Sequence, residues 1–409
     1  MMRIAIVGGG IGGLALALGL HQRGIACDVY EQAPEVRELG VGITLLPHAM
    51  RELAKLGLQP QLEPLGIENL ESVFFNRWGQ FIYREPRGRH AGYEVPELGM
   101  HRGKLHGVMY QAALQRLGTG RIHLDHRLVG LQQEQQQVTL AFQDREGRLR
   151  PAVDADIVIA CDGVNSAVRR QFYPDEKPAF AGINTWRGVT VHEPILTGKS
   201  YLRIGSIDTG KMVIYPIIDD VDGQGRQLIN WVAEIRAADM GMNEWNQPGR
   251  LQDFRPVYQD WKFDWLDVPA LITGANEILE YPMVDKDPVP RWTFGRVTFL
   301  GDAAHPMYPR GSNGSAQALL DAATLSGLLA AGGDPLAALQ AYEAQRLPAT
   351  AKVVETNRTV PPDFIIMKAD ELSGGKPFPG TIDDLVSQEE LRRISDDYKT
   401  VAGFALEKK

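Results

Sequence analysis

The sequence predicts an α/β protein: a doubly wound, mostly parallel sheet assembled from separated segments, a second β-rich region, and a helical C-terminal tail. Three observations lead there. The chain opens on a strand–glycine turn–helix–strand unit. Two strand–acid–turn–helix units recur far downstream, and a stretch rich in tryptophan and alternating apolar residues separates those two. At 409 residues the chain exceeds one compact core, because domains run to ~100–200 residues, so two or three are expected.

The first unit begins with residues 3–7, RIAIV, a β-branched run suited to a buried strand. Gly8, Gly10 and Gly13 then satisfy G-x-G-x-x-G, with Gly12 inside the motif. Leu14 to Arg23 has the composition of a buried helix, and Ala26 to Tyr30 reads as a second strand ending at Glu31. In such a turn the glycines serve a tight bend, close approach to a pyrophosphate and tight helix–strand packing. The helix N-terminus supplies free N–H groups and partial positive charge. Glu31 lies eighteen residues past Gly13, near the ~20 expected for an acid that holds a ribose hydroxyl. An acid there suits an unphosphorylated ribose, so FAD or NAD rather than NADP.

The second unit is Asp154 to Arg170, where an apolar strand runs into Asp162-Gly163, followed by Ser166 and Arg169. The third is Gly295 to Ser315, where a strand ends at Gly301-Asp302, and Pro309, Gly311 and Gly314 precede a long apolar helix. Each delivers a carboxylate to the end of a strand, which is where a doubly wound sheet binds its ligands.

Between them, TWRGVTV, MVIYPI, LINWVAEI and EILEYPMV read as antiparallel strands, and VFFNRWGQFIYRE (73–85) as a hairpin turning at Trp78-Gly79. After Pro361-Pro362 the chain turns polar, and 387–398 reads as a solvated or docking helix, expected to serve packing or a homodimer contact.

Composition narrows the function classes. Forty-three Lys and Arg against 51 Asp and Glu leave a net charge of −8, which argues against a nucleic-acid or anionic-membrane surface. No stretch approaches the ~18 consecutive apolar residues of a membrane span. Cys27 and Cys161 sit beside strand-like runs and read as buried, reduced thiols, which suits a cytoplasmic location. His123 and His126 lack metal-ligand company, so no metal site is expected. The GKS at 198–200 lacks the upstream glycine of a phosphate loop.

Together, G-x-G-x-x-G at Gly8 to Gly13, D-G-x-x-S-x-x-R at Asp162 to Arg169 and G-D-A-A-H-P at Gly301 to Pro306 resemble the single-component (group A) FAD-dependent aromatic hydroxylases, the p-hydroxybenzoate and salicylate hydroxylase class. The likeness covers roughly residues 1–360, and segments 182–190, 281–292 and 307–314 look most like the phenazine hydroxylase branch. It implies a Rossmann-like FAD-binding domain from 1–72, 98–176 and 287–360, a β-sheet substrate domain from 73–97 and 177–286, and a tail at 361–409. Glu31 would hold the adenosine ribose with Gln32 and Arg37 beside it, and Leu128 would line the adenine. Arg102, Asp162 and Gly163 would lie near the pyrophosphate, Asp302 would bind the ribityl chain, and Val41 and Gly42 would form a small-residue strip against the flavin. Pro309, Gly311 and Gly314 would bring backbone N–H groups to the isoalloxazine edge.

The resemblance also implies NAD(P)H as a transient reductant and O₂ as oxidant, with a flavin hydroperoxide passing one oxygen atom to an electron-rich ring. A small aromatic substrate, fused or N-heteroaromatic and carboxylated, is expected between the sheet and the flavin, lined by Trp186, Tyr215, Trp231 and Met283. Tyr215 is the candidate for polarising a phenolic or acidic group, His48 for hydrogen-bonding the substrate, and Arg187 for pairing a carboxylate. The competing reading is an FAD-dependent NAD(P)H oxidoreductase or oxidase that inserts no oxygen.

Overall fold

The computed structural model describes residues 2–36, 40–238 and 247–406. Five short apolar strands form a parallel sheet in the order Val297–Phe299, Ile157–Ala160, Ile4–Val7, Asp28–Tyr30, Ile122–His123. The register sets Val7 opposite both Ala160 and Tyr30, and Ala160 opposite Phe299. The turns that follow these strands therefore emerge side by side at one edge, although they are far apart in sequence. The helix Ile11–Gln22 covers this sheet and packs against the helix Gly314–Ala330. Both are apolar nearly all round, as helices buried on two sides must be.

The second sheet has eight strands, in the order Gln247–Pro248, Ile278–Asp285, Ala179–His192, Gln227–Arg236, Gly210–Ile218, Ser200–Ser206, Glu71–Phe75, Phe81–Pro86. Its pairings are antiparallel except that Ser200–Ser206 runs parallel to Glu71–Phe75. The hairpin at 71–86 turns where the Asn76 carboxamide oxygen accepts from the amides of Trp78 and Gln80. One face of this sheet buries Trp186 and Trp231 against Phe254 and Tyr258 of the helix Leu251–Tyr258, with Trp261 and the helix Val268–Thr273 completing that core. The other face presents Tyr201, Val213 and Tyr215 towards the parallel sheet.

A three-stranded sheet, Gly42–Leu45, Leu98–His101 and Gly66–Glu68, bridges the two. Its Gly42 amide donates to the Asn230 carboxamide oxygen at 2.7 Å. The tail forms the helices Phe364–Leu372 and Gln388–Ala402. Their apolar residues pack on Phe74, Ile82 and Tyr83 of the hairpin.

Candidate active site

Three turns meet at the carboxyl edge of the parallel sheet. Gly8 has φ +108° and lies against the Cys161 carbonyl, so that a Cβ there would stand 2.3 Å from that oxygen. A Cβ at Gly13 would stand 2.0 Å from the Gly8 carbonyl oxygen, whereas a Cβ at Gly10 would meet nothing within 4 Å. Two glycines thus close the turn, and the third leaves it open on one side. The Glu31 carboxylate accepts from the Gly9 amide at 2.6 Å and from the Ala33 amide at 2.8 Å, bracing the turn from the next strand.

The Gly301–Pro306 loop is anchored from beneath. Asp321 accepts from the Gly301 amide at 3.1 Å and pairs with His305 at 2.5 Å and Arg346 at 2.7 Å. Burial opposes its ionisation, but His305 and Arg346 outweigh that and push its pKa down to about 2. Arg169, fully buried, donates to the carbonyls of Ala303 and Ala304. The loop is held so that the Asp302 side chain stands exposed at the cavity with no hydrogen bond among the described residues.

The cavity encloses about 350 Å³ between the two sheets. Gly10, Gly12, Gly163, Asp302, Pro309 and Gly314 form its upper wall, and Val41, Gly42 and Arg102 one side. Arg187, Tyr201, Val213, Tyr215 and Val232 form its floor. Tyr201 and Tyr215 stack at 4.9 Å between ring centroids, 14° apart. Burial raises the Tyr215 phenol above its ordinary pKa, so it keeps its proton at neutral pH. Arg187 lies 5.3 Å from the Tyr281 ring centroid, and burial lowers its pKa from the ordinary guanidinium value. Among the described residues its Nε has no hydrogen-bond partner and no carboxylate pairs with it. Glu234, the acid that also lines the floor, is bound to Lys211 at 3.0 Å.

Several expected residues stand elsewhere. His48 is fully buried behind the wall, its Nε2 3.0 Å from the Asn313 carboxamide oxygen and its ring stacked on Phe404. Burial pushes its pKa down to about 3, so it is neutral and does not line the cavity. Leu128 faces the core because alternation along Arg127–Gln133 turns it inward. Gln32 is exposed in the turn after the second strand, and Arg37 lies outside the described residues. The Asp162 carboxylate caps the helix Ala167–Phe172 through the amides of Ala167 and Val168, and its other oxygen is buried without a partner. Gly311 faces the C-terminal helix rather than the cavity.

Trp186, Trp231 and Met283 are likewise absent from the lining. The register pairs Ile214 with Trp231 and Tyr215 with Asn230, so Tyr215 and Trp231 occupy opposite faces. Asn313, Tyr201 and Val232 line the cavity and were not singled out from sequence. Only for Asn313, just before a glycine-led helix, was there a local signal.

The donor set fits FAD. An open glycine turn at a helix N-terminus suits a pyrophosphate, Arg102 adds positive charge nearby, and the unpaired Asp302 carboxylate suits sugar-alcohol hydroxyls. Glu31 keeps lone pairs for a ribose beyond the two amides it accepts.

Residues 1–236 and 268–357 match the family model described as FAD binding domain. The chain is 40% identical over 361 residues to phenazine 1,6-dicarboxylic acid hydroxylase of Lysobacter antibioticus, covering 87% of this chain and 89% of that one. It is 32% identical to 3-amino-4-hydroxybenzoate 2-monooxygenase of Streptomyces platensis, covering 87% of each. Its fold matches 2,6-dihydroxypyridine-3-hydroxylase from Arthrobacter nicotinovorans with a TM-score of 0.73 at 24% identity, over 93% of this chain and 95% of that one.

Proposed function

The chain belongs to the FAD-binding-domain family and is an FAD-dependent monooxygenase, and from that premise we propose that it hydroxylates an aromatic or N-heteroaromatic carboxylate with a phenazine-like fused ring. One observation carries the substrate class: Arg187 brings a positive charge to the cavity floor without an anionic partner among the described residues. A guanidinium so placed pairs favourably with a planar carboxylate through its forked donors. The two relatives at 40% and 32% identity are named for a dicarboxylic acid and a benzoate, which supports the same class.

The chemistry that FAD supplies when bound is electron transfer from NAD(P)H and activation of O₂ for insertion of one atom into the ring. The chain's own residues bind, orient and shield. Gly10, Gly12 and the helix amides behind them would hold the pyrophosphate, Glu31 a ribose, and Asp302 the ribityl hydroxyls. The amides before the helix Gly314–Ala330 would face the electron-rich edge of the ring system. Arg187 would fix the substrate carboxylate while Val213, Val232 and the Tyr201–Tyr215 stack flank the ring and exclude water. Tyr215, protonated and buried, would donate to an oxygen substituent of the substrate.

We assign the cofactor domain to 1–72, 98–176 and 287–360 and the substrate domain to 73–97 and 177–286. A cytoplasmic setting fits the two free cysteines, of which Cys27 is buried with its thiol pushed up to about 12. No described helix is long and apolar enough to cross a membrane. A homodimer is part of the same reading.

The test is to supply NAD(P)H and isotopically labelled O₂ with phenazine, pyridine and aminobenzoate carboxylates. The expected result is label in a hydroxylated product, with reductant, oxygen and product in matching amounts. Oxygen consumed solely to peroxide, with every carboxylate returned unlabelled, would establish the oxidase reading instead.

A further inference from the structure

Asparagine directly before a helix ordinarily turns its side chain back to cap the first-turn amides. Asn313 precedes the helix Gly314–Ala330 and does not. Its carboxamide oxygen accepts from His48 Nε2 at 3.0 Å, and its Nδ2 donates to the Tyr398 hydroxyl at 2.8 Å. The Tyr398 hydroxyl donates in turn to Asn357 Oδ1 at 2.7 Å, with the Arg310 carbonyl at 3.3 Å as the longer alternative. Asn313 Nδ2 also reaches the Gly311 carbonyl at 3.2 Å, and Asn357 Nδ2 donates to the Tyr308 carbonyl at 3.3 Å. Every proton in this chain points the same way. His48 is held neutral by burial, which leaves it a single ring N–H to give.

Tyr398 belongs to the helix Gln388–Ala402, beyond the residues matched by the family model. It is nevertheless built into the cofactor loop. Gly311 has φ +78°, and a Cβ there would stand 2.1 Å from the Tyr398 hydroxyl, so the loop closes around this side chain. Gln317 on the first helix turn donates to the Ala402 carbonyl at 3.0 Å, tying the same two elements a second time. The first intrahelical bond runs from the Gln317 amide to the Asn313 carbonyl. The amides of Gly314, Ser315 and Ala316 therefore lack helical partners, and Gly314 and Ser315 line the cavity.

We propose that Tyr398 is a positioning residue for the cofactor loop: together with His48, which holds the Asn313 carboxamide oxygen, it fixes the Asn313 side chain away from its own helix and so keeps the first-turn amides free to donate to bound FAD. The inference rests on FAD occupying this cavity, which the flavin content of the unmodified protein tests separately.

The variant Tyr398→Phe keeps the ring and removes the hydroxyl. Asn313, then held only by His48 and by its longer bond to the Gly311 carbonyl, is freer to turn towards the first-turn amides in competition with the flavin. FAD binding is expected to weaken by roughly three- to tenfold. The midpoint potential of the bound flavin is expected to become more negative, with a shift in its visible absorption. In an Asn313→Ala background, which has no capping side chain, the same substitution is expected to leave potential and absorption where Asn313→Ala alone puts them. Asn357→Ala, which leaves the Tyr398 proton only the longer bond to the Arg310 carbonyl and keeps the ring, should move the potential the same way by a smaller amount. That variant keeps the test alive if Tyr398→Phe does not fold. A wild-type potential and spectrum in Tyr398→Phe with only a lower melting temperature would overturn the proposal. So would an undiminished shift in the Asn313→Ala background, or no shift in Asn357→Ala.

Discussion

Arg187 is a half-buried cation whose nearby charges are already matched. Lys211 and Arg203 share Glu234 and Asp363, at 2.6 to 3.4 Å, so that cluster has no anion to spare. A charge-assisted bond to a carboxylate contributes ~1.5–3 kcal/mol. Replacing Arg187 by Met is therefore expected to raise KM for the carboxylate substrate by roughly 10- to 100-fold, with kcat changed less than KM. The corresponding carboxamide should bind wild type as poorly as the carboxylate binds the variant, and steady-state kinetics on both compounds checks this. His48 supports a prediction of another kind. Its pKa is about 3 in the folded chain, against ~6.5 when unfolded. The unfolded state binds the extra proton, so this contribution is complete above the unfolded value and is lost as pH falls towards the folded one. The loss is ~1.4 kcal/mol per pH unit in that window. Between pH 7.5 and 5, urea denaturation should show wild type losing about 2 kcal/mol more stability than His48→Gln, which keeps a donor for Asn313 and has no charge to gain.

At the scale of the element, the glycine turn and the strands of the parallel sheet were legible because their signals are local. A β-branched run, a spaced set of glycines and a helix-forming segment each declare themselves within a dozen residues. The turn's tolerance follows from its contacts. A methyl group at Gly13 would press on the Gly8 carbonyl at 2.0 Å, with the Cys161 Cβ at 3.3 Å and no flexible side-chain end to yield. Gly13→Ala is expected to cost ~1–3 kcal/mol or more and to release FAD on gel filtration, whereas Gly10→Ala, open to the cavity, should weaken FAD binding while leaving the melting temperature of the apoprotein near wild type. The faces of the antiparallel sheet were not legible. LINWVAEI and TWRGVTV carry apolar residues at both parities, and alternation alone does not say which parity meets the cavity. The tryptophans went to the far core beneath two helices, and Arg187, Val213, Val232 and Tyr215 went to the site. Long-range partners were hidden in the same way. His48, Asn313, Asn357 and Tyr398 form one network over a span of the chain that no local pattern reports.

At the scale of the whole molecule, the cofactor site exists only when three distant turns are brought to one sheet edge. The unfolded chain has no such edge, so FAD binds the native state alone, and its binding free energy adds to folding as RT ln(1 + [FAD]/Kd). A 100-fold excess over Kd contributes ~2.7 kcal/mol, and a 1,000-fold excess ~4.1 kcal/mol. The cavity has its upper wall on one sheet and its floor on the other, and Gly42 and Asn230 join them by a direct hydrogen bond. Stabilisation at the glycine turn should therefore reach the antiparallel sheet. Trp186, Trp231, Trp261 and Trp265 all lie in or against the core of that sheet, whereas Trp292 lies in the core of the parallel-sheet side. With Trp292 replaced by Phe in every protein compared, tryptophan emission therefore follows the antiparallel sheet. Release of flavin fluorescence reports the other side. On heating the holoprotein, both signals are expected to change in one transition, and its midpoint should climb steadily as free FAD is raised. Asn230→Ala removes the joining bond and should separate the two transitions, with the tryptophan signal moving first and losing its dependence on FAD concentration. Two separate transitions in the holoprotein that keeps Asn230, with the tryptophan one indifferent to FAD, would mean that the sheets fold as independent bodies and that the cavity between them adds nothing to their coupling.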